Sequence, residues 1–181
     1  MIFSETPLPG AYLVTAEPFA DERGLFARTF CKNEFAQLNH KKEFVQFNHS
    51  KTNKQGTIRG MHYQLPPHSE IKLIRCIRGS VWDVIIDIRK GSPTFLQYFA
   101  VELSEHNLLS VYVPEGFAHG FQTLEDNTQL IYHHTAYYVP GHEAGIRYND
   151  PLVCINWPLP VSEITEKDRN HNLLDNSFKG I

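Results

Sequence analysis

Short hydrophobic segments recur along the chain at regular intervals, separated by clusters of Gly, Pro, Asn and Asp. The stretch 44–50 alternates, which places Gln46, Asn48 and Ser50 on one face of a predicted strand. The stretch 81–89 is almost continuously apolar, as in a strand that is buried on both faces. These patterns predict strands over 10–16, 25–30, 44–50, 57–64, 71–78, 81–89, 95–103, 110–113, 120–124 and 129–136.

The order of the predicted elements indicates the fold class. Strands follow one another without the intervening helices that parallel βαβ units need. One short helix is predicted over 33–39, with Asn33 as its N-cap. The pattern therefore predicts an all-β sandwich or jelly roll of two antiparallel sheets with short peripheral helices. We expect a single domain over 1–181, with an irregular tail from about residue 151.

The charge and the cysteine content exclude several classes of protein. With a formal net charge of -3 and a pI near 6.3, the chain lacks the basic excess of proteins that bind nucleic acid or anionic membranes. Cys31, Cys76 and Cys154 are odd in number and show no CxxC spacing, which argues against a disulfide framework and a zinc ribbon. The sequence shows neither a signal peptide nor a long apolar run, so we expect a cytoplasmic protein.

The stretch 57–64 combines a cation, a glycine and an imidazole in one predicted strand. Strict alternation would place Gly60, His62 and Gln64 on one face and Arg59 on the other. Two arrangements would still bring Arg59 and His62 to a common site. Either Gly60 introduces a twist or bulge, or Arg59 serves a pocket that is built with a partner subunit.

The histidines raise the question of a metal site. The segment 114–119 (PEGFAH) resembles the second motif of metal-binding cupins, but the first motif, with two histidines one residue apart, is absent. His62 is followed by Tyr63 instead, and the nearest alternative pair is His68 and Glu70. We therefore expect no metal, and a metal-dependent cupin oxygenase or isomerase is an alternative hypothesis.

Other side chains have chemistry that a site could use. Arg23 and Arg59 suit multi-donor binding of a diphosphate, although two surface arginines would give the same pattern. Lys72, on a mostly apolar strand, faces either water or a group that needs positive charge. Tyr132 is either a proton donor or a core tyrosine. We interpret the following histidines as surface or rim residues: His40, His49, His133, His134, His142 and His171.

Motifs spread in order over nearly the whole chain resemble the dTDP-4-dehydrorhamnose 3,5-epimerase family. They are DERG at 21–24, QFNHS at 46–50, RGMHYQ at 59–64, GSPTF at 91–95, PEGFAHGF at 114–121 and EKDR at 166–169. The resemblance implies a cupin-type jelly roll that works as a homodimer without a metal or other cofactor. It also implies inversion of C3, C5 or both in a nucleotide-linked 4-keto-6-deoxyhexose, in the supply of rhamnose-type sugars for bacterial cell-envelope polysaccharides.

The resemblance also implies roles for individual residues. It implies that His62 is the base and that Asp168 is its carboxylate partner. Tyr132 matches the proton donor on the other face of the sugar, and Lys72 matches a cation near the ketone oxygen. The positions that match substrate contacts are Arg23 and Arg59 for the diphosphate, with Gln46, Phe47, Asn48, His119, Glu143 and Lys167 for the rest of the substrate.

Arg28 departs from the family pattern, which usually has a glutamate at this substrate-contacting position. A reversed charge there bears on the choice of nucleotide carrier. A CDP-, UDP- or GDP-linked sugar is therefore an alternative to the thymidine diphosphate sugar. Inversion at a single carbon and a non-catalytic sugar-binding cupin are further alternatives.

Overall fold

The computed structural model describes residues 1–181, and its regular secondary structure is mostly antiparallel strands. The strands are β1 (Ile2–Glu5), β2 (Tyr12–Thr15), β3 (Phe19–Asp21), β4 (Gly24–Phe26), β5 (Gln46–Thr52), β6 (Ile58–Gln64), β7 (Lys72–Arg78), β8 (Ser80–Asp87), β9 (Tyr98–Ser104), β10 (Leu109–Val113), β11 (Phe117–Thr123), β12 (Thr128–His134) and β13 (Glu143–Gly145). The helices are α1 (Lys32–Phe35), which a 3₁₀ turn over Ala36–Leu38 continues, and α2 (Glu166–Arg169). Neither helix has the length and hydropathy of a membrane-spanning segment.

The strands form two large sheets that pack face to face. One sheet has six strands in the order β1-β2-β10-β7-β12-β5, and the other has five in the order β13-β6-β11-β8-β9. Strands β3 and β4 form a separate two-stranded hairpin. This architecture confirms the predicted all-β jelly roll.

Strand β8 shows why its sequence is apolar at nearly every position. Val81 and Ile85 point into the core between the sheets, together with residues of β7, β10 and β12. Val84 and Ile86 belong to a second buried cluster on the other face of the five-stranded sheet. Side chains of the C-terminal tail, including Trp157, pack against this second cluster, so both faces of β8 are buried.

The N-terminal third differs from the prediction. The predicted strand 25–30 is too long, because the strand that pairs with Phe19–Asp21 covers only Gly24–Phe26. The predicted N-cap Asn33 is also wrong, since α1 begins after Cys31. Strands β1, β3 and β13 were not predicted, because each has at most four residues and carries little periodic signal.

His40 is buried, so its interpretation as a surface residue is wrong. Its ring stacks on Phe44 with a centroid distance of 4.8 Å, and its Nδ1 lies 3.1 Å from the hydroxyl of Tyr112. It packs in an aromatic cluster around Phe35. The imidazole is therefore a core side chain that is hydrogen-bonded at Nδ1 and buried without a partner at Nε2.

Strand β6 contains an irregularity at Gly60. From Arg59 to His62 the strand advances three positions, whereas the paired segment of β11 advances only two, from His119 to Phe121. The extra residue is a β-bulge, which reverses the alternation between Arg59 and His62. Gly60 has a φ of 113°, and the peptide bond that follows it is cis. Of the two arrangements that the sequence left open, the structure shows the bulge at Gly60.

The bulge leaves no room for a side chain on Gly60. A Cβ atom there would lie 2.6 Å from the Cα of Gly120 and 2.8 Å from the carbonyl oxygen of His119. Both neighbours are backbone atoms, which cannot rotate away.

We predict that Gly60→Ala destabilises the protein by about 3 kcal/mol or more, because backbone strain and a steric clash add. Gly24→Ala is the matched control, since Gly24 has a φ of 127° but a Cβ atom added there would meet no other atom within 4 Å. We expect that control to cost only about 1–2 kcal/mol. Urea unfolding measures both free energies, and equal losses would contradict the account of the bulge.

Candidate active site

A cavity of about 630 Å³ lies between the two sheets. The six-stranded sheet lines it with Gln46, Asn48, Ser50, Lys72, Tyr132 and His134. The five-stranded sheet lines it with Arg59, His62, Tyr63, Gln64, His119, Phe121 and Glu143. Glu70, Tyr138, Thr165, Lys167 and Asp168 complete the wall from loops and from α2. Most of the sequence-predicted site residues thus meet in one cavity.

His62 and Asp168 form a hydrogen-bonded pair on the wall of the five-stranded sheet. Helix α2 presents Asp168, whose backbone N–H donates to the hydroxyl of the N-cap Thr165 at 3.2 Å. One carboxylate oxygen lies 2.7 Å from Nε2 of His62. The other accepts the backbone N–H of Gly60 at 3.1 Å. Both oxygens of a nearly fully buried carboxylate are therefore engaged.

The charge state of Asp168 fixes the tautomer of His62. Burial alone would raise the pKa of Asp168, but the hydrogen bond from His62, with that from the N–H of Gly60, holds it below its usual range. An ionised carboxylate only accepts, so Nε2 of His62 carries the proton and donates it. Nδ1 of His62 is left with a free lone pair, as a proton acceptor requires.

Tyr132 lies on the opposite sheet. Burial raises its pKa, and the nearby negative charge of Asp83 raises it further. The phenol therefore stays protonated at neutral pH and is able to donate. Its ring packs edge-on against His119 at a centroid distance of 6.0 Å.

His119 is held by a buried carboxylate of its own. Its Nε2 lies 2.8 Å from Asp83, and both side chains are almost completely inaccessible. Asp83 does not line the cavity and was not predicted as a site residue. Because it faces the core between the sheets like Val81 and Ile85, its position in β8 is consistent with a partner for His119.

Lys72, Glu70 and His134 form a buried group near Tyr132. The ammonium of Lys72 lies 3.2 Å from one oxygen of Glu70, and Nδ1 of His134 lies 2.7 Å from the other. Burial would raise the pKa of Glu70, but the hydrogen bond from His134 and the charge of Lys72 lower it overall. The interpretation of His134 as a rim residue is wrong. Since Tyr132 and His134 are two residues apart on β12, alternation would have placed both in the cavity.

Arg59 reaches the cavity because of the bulge. Its Nε donates to the hydroxyl of Thr52 at 2.9 Å, and its Nη2 donates to the carbonyl of Lys51 at 3.3 Å. These bonds leave further N–H groups of the guanidinium free for an anion. Lys167 and Glu143 form an ion pair that also lines the cavity, and this pair raises the pKa of Lys167.

Three predicted substrate-binding residues lie outside this cavity. Phe47 points away from it, as alternation from Gln46 requires, and its ring packs edge-on against His133. Arg28 forms an ion pair with Glu34 at 2.8 Å. Arg23 lies on the exposed β3–β4 hairpin, where it pairs with Asp21.

One group of side chains that could bind a metal lies at the hydrogen-bonded pair of His62 and Asp168. Possible ligand atoms of His62, Asp168 and His171 lie within 4.8 Å of one another. This group does not include His119, on which the metal hypothesis rests. The carboxylate of Asp168 in this group already accepts a hydrogen bond from His62.

The chain is similar to a family of known enzymes over nearly its whole length. Residues 5–176 match the family model described as dTDP-4-dehydrorhamnose 3,5-epimerase. The chain is 41% identical over 179 residues to the dTDP-4-dehydrorhamnose 3,5-epimerase of Salmonella typhimurium, and the matched residues make up 98% of each chain. The crystal structure of the Elizabethkingia anophelis enzyme of that name superposes with a TM-score of 0.93 at 36% identity, covering 98% of each chain. That of the Bacillus anthracis enzyme, with TDP and PPi bound, superposes with a TM-score of 0.92 at 39% identity, covering 96% of this chain and 99% of the other.

Asp168 has a folded-state pKa below its ordinary value of 3.8. Its contribution to stability is therefore present above that value and is lost as the pH falls through the folded pKa. We predict that the difference in unfolding free energy between the wild type and Asp168→Asn shrinks as the pH falls from about 5 to about 3. Urea unfolding over this pH range measures the difference. Glu166→Gln, an exposed change on the same helix, should give a pH-independent difference, and the same flat profile for Asp168→Asn would contradict the assignment.

Proposed function

Because the chain belongs to the dTDP-4-dehydrorhamnose 3,5-epimerase family, we propose that it is an isomerase that inverts C3, C5 or both in a nucleotide-linked 4-keto-6-deoxyhexose. The substrate that we propose is dTDP-4-dehydro-6-deoxy-D-glucose, and the product is dTDP-4-dehydro-L-rhamnose. The observation that carries the proposal is a carboxylate-backed imidazole and a protonated phenol on the facing sheets of one cavity.

His62 is the proposed base. A hydrogen on the carbon next to the C4 ketone is acidic because its removal gives an enolate. Nδ1 of His62 takes this proton, and the ring becomes an imidazolium whose Nε2 proton stays on the ring, hydrogen-bonded to Asp168. The buried carboxylate stabilises that cation and holds the ring in one orientation.

Lys72 is proposed to stabilise the enolate. Negative charge develops on the C4 oxygen in the transition state, and an ammonium placed there in advance favours it over the neutral ketone. Lys72 lines the cavity and is mostly buried, so its charge is weakly screened by water. The carboxylate of Glu70 lies 3.2 Å from the ammonium and balances its charge in this buried position.

Tyr132 is proposed to complete the inversion from the other face. Its phenol gives a proton to the carbon, and the new C–H bond has the opposite configuration. The enzyme then holds an imidazolium and a phenolate, which return to their starting forms by exchanging one proton each with solvent. Every step uses side chains of the protein, and we propose that no metal or organic cofactor takes part.

The nucleotide carrier is proposed to be thymidine diphosphate. TDP is bound in the Bacillus anthracis relative, and Arg59 offers free N–H groups to a diphosphate. The charge of Arg28 is balanced by Glu34 in this chain. We also propose a cytoplasmic location, in keeping with the free thiols of Cys31, Cys76 and Cys154.

A homodimer is proposed from the position of Arg23. The hairpin that carries it exposes Phe19, Leu25 and Phe26, which are 81%, 59% and 76% accessible. Such a cluster of exposed apolar side chains marks a contact surface. We propose that the hairpin packs against a second copy and brings Arg23 to that copy's cavity.

Solvent exchange tests the chemistry. In D₂O with dTDP-4-dehydro-6-deoxy-D-glucose, we expect deuterium to enter C3, C5 or both, as followed by ¹H NMR. His62→Ala should lose about 10²–10⁴-fold in rate. Tyr132→Phe should still exchange the substrate hydrogen but should lose inversion, because only the donor is missing. Tyr137→Phe, an exposed change outside the cavity, is the control. Absence of exchange with the dTDP-, UDP-, CDP- and GDP-linked sugars alike would contradict the proposal and favour a sugar-binding protein.

Subunit mixing tests the dimer. Arg23→Ala and His62→Ala homodimers should each have little activity. If Arg23 serves the partner's cavity, each mixed dimer has one intact pocket, so mixing the two variants after reversible dissociation should restore activity. We expect recovery toward half of the wild-type value per mixed dimer. No recovery, with mixed dimers verified by native mass spectrometry, would place Arg23 in its own subunit's site or in none.

A further inference from the structure

We propose that Glu70 and His134 are positioning residues that hold the ammonium of Lys72 in the cavity. They belong to a hydrogen-bonded chain that continues through Asn48 and Gln46. The catalytic consequence rests on the proposed function, since it concerns the step that Lys72 assists. The arrangement of the hydrogen bonds is independent of the proposed function.

The chain runs across three neighbouring strands of the six-stranded sheet. Strand β12 lies between β7 and β5, so His134 is paired with Lys72 on one side and with Gln46 on the other. Asn48 is two residues from Gln46 on β5 and shares its face. Glu70 comes just before β7, and its carboxylate contacts both Lys72 on β7 and His134 on β12.

The direction of the hydrogen bonds can be read from the end at Tyr138, where the donor is a backbone N–H. It donates to Oε1 of Gln46 at 2.9 Å, so the amide nitrogen of Gln46 points the other way. That nitrogen donates to Oδ1 of Asn48 at 3.3 Å. The amide nitrogen of Asn48 then lies 3.3 Å from Nε2 of His134. His134 must therefore accept at Nε2.

The other end of the chain agrees with this direction. A ring that accepts at Nε2 is neutral and carries its proton on Nδ1, which donates to Glu70 at 2.7 Å. The ammonium of Lys72 has only donors, and it lies 3.2 Å from the second oxygen of Glu70. Both contacts thus meet an acceptor. No link in the chain sets donor against donor or acceptor against acceptor.

This arrangement leaves Lys72 with one strong partner and with N–H groups to spare. The carboxylate of Glu70 is mostly buried, with 9% of its side chain accessible, so it fixes the ammonium firmly. A His134 ring that accepts at Nε2 and donates at Nδ1 adds no competing positive charge. A substrate ketone oxygen can then accept from the remaining N–H groups of Lys72 without moving it.

Glu70→Gln breaks the arrangement with little change in shape. An amide has a single oxygen, so if it accepts from His134 its NH₂ group faces the ammonium of Lys72, donor against donor. We expect kcat to fall by about 10²-fold, as when one preset oxyanion donor is lost, with KM changed by less than about threefold. Glu115→Gln, at a half-exposed glutamate that pairs with Lys42 outside the cavity, is the matched control and should keep both values. Unfolding midpoints of the two variants show whether folding is retained, and a kcat of Glu70→Gln within about twofold of the wild type would overturn the proposal.

The tautomer of His134 provides a test that needs no substrate. We expect the ¹⁵N spectrum of histidine-labelled wild type near neutral pH to show Nδ1 protonated and Nε2 unprotonated for His134, with its signals assigned by their loss in His134→Gln. In Glu70→Gln this preference should weaken. A His134 with its proton on Nε2, or on both nitrogens, would overturn the proposal even in an active enzyme. An unmodified protein without epimerase activity that shows the expected tautomer would count against the proposed function and would support the hydrogen-bonded chain.

Discussion

The β-bulge at Gly60 is the constraint on which the rest of the cavity depends. Without the extra residue, Arg59 and His62 would lie on opposite faces of β6, and the cation could not share a cavity with the imidazole. A bulge leaves a backbone group out of the strand ladder, and here the N–H of Gly60 donates to Asp168 instead. The same irregularity therefore aims two side chains and supplies a hydrogen bond to the carboxylate that orients one of them.

The C-terminal tail connects this feature to the rest of the fold. Backbone hydrogen bonds from Ile58 to Glu163 and from Ser162 to Gly56 fasten the tail at the start of β6, just before α2 presents Asp168. Because the tail also covers the outer cluster of the five-stranded sheet, the carboxylate is fixed by packing as well as by hydrogen bonds. A buried acidic group in this position stays ionised only because His62 and the backbone N–H of Gly60 compensate for the lost hydration.

Local patterning predicts much of the fold and part of the site, for identifiable reasons. The alternation over 44–50 correctly predicts a strand with Gln46 and Asn48 on one face and Phe47 on the other, and the structure places the first two in the cavity. The same rule applied to β12 places His134 beside Tyr132, so local alternation is sufficient to predict that both side chains reach the cavity. Local patterning cannot predict the carboxylate partner of His62, because Asp168 lies 106 positions away along the chain. Only the tertiary structure and the resemblance to known enzymes identify the two residues as a pair. Edge strands of three or four residues likewise depend on pairing that no local pattern encodes.

The central claim is that His62 and Tyr132 act on the same carbon from opposite faces. A crystal structure with a dTDP-linked 6-deoxyhexose in which C4 carries a hydroxyl instead of the ketone tests it most directly, because the sugar can bind without reacting. The account predicts that C3 or C5 lies between Nδ1 of His62 and the hydroxyl of Tyr132, with the C4 oxygen near Lys72 and the diphosphate near Arg59. A sugar that presents one face to both residues, or that binds outside the cavity, would contradict it.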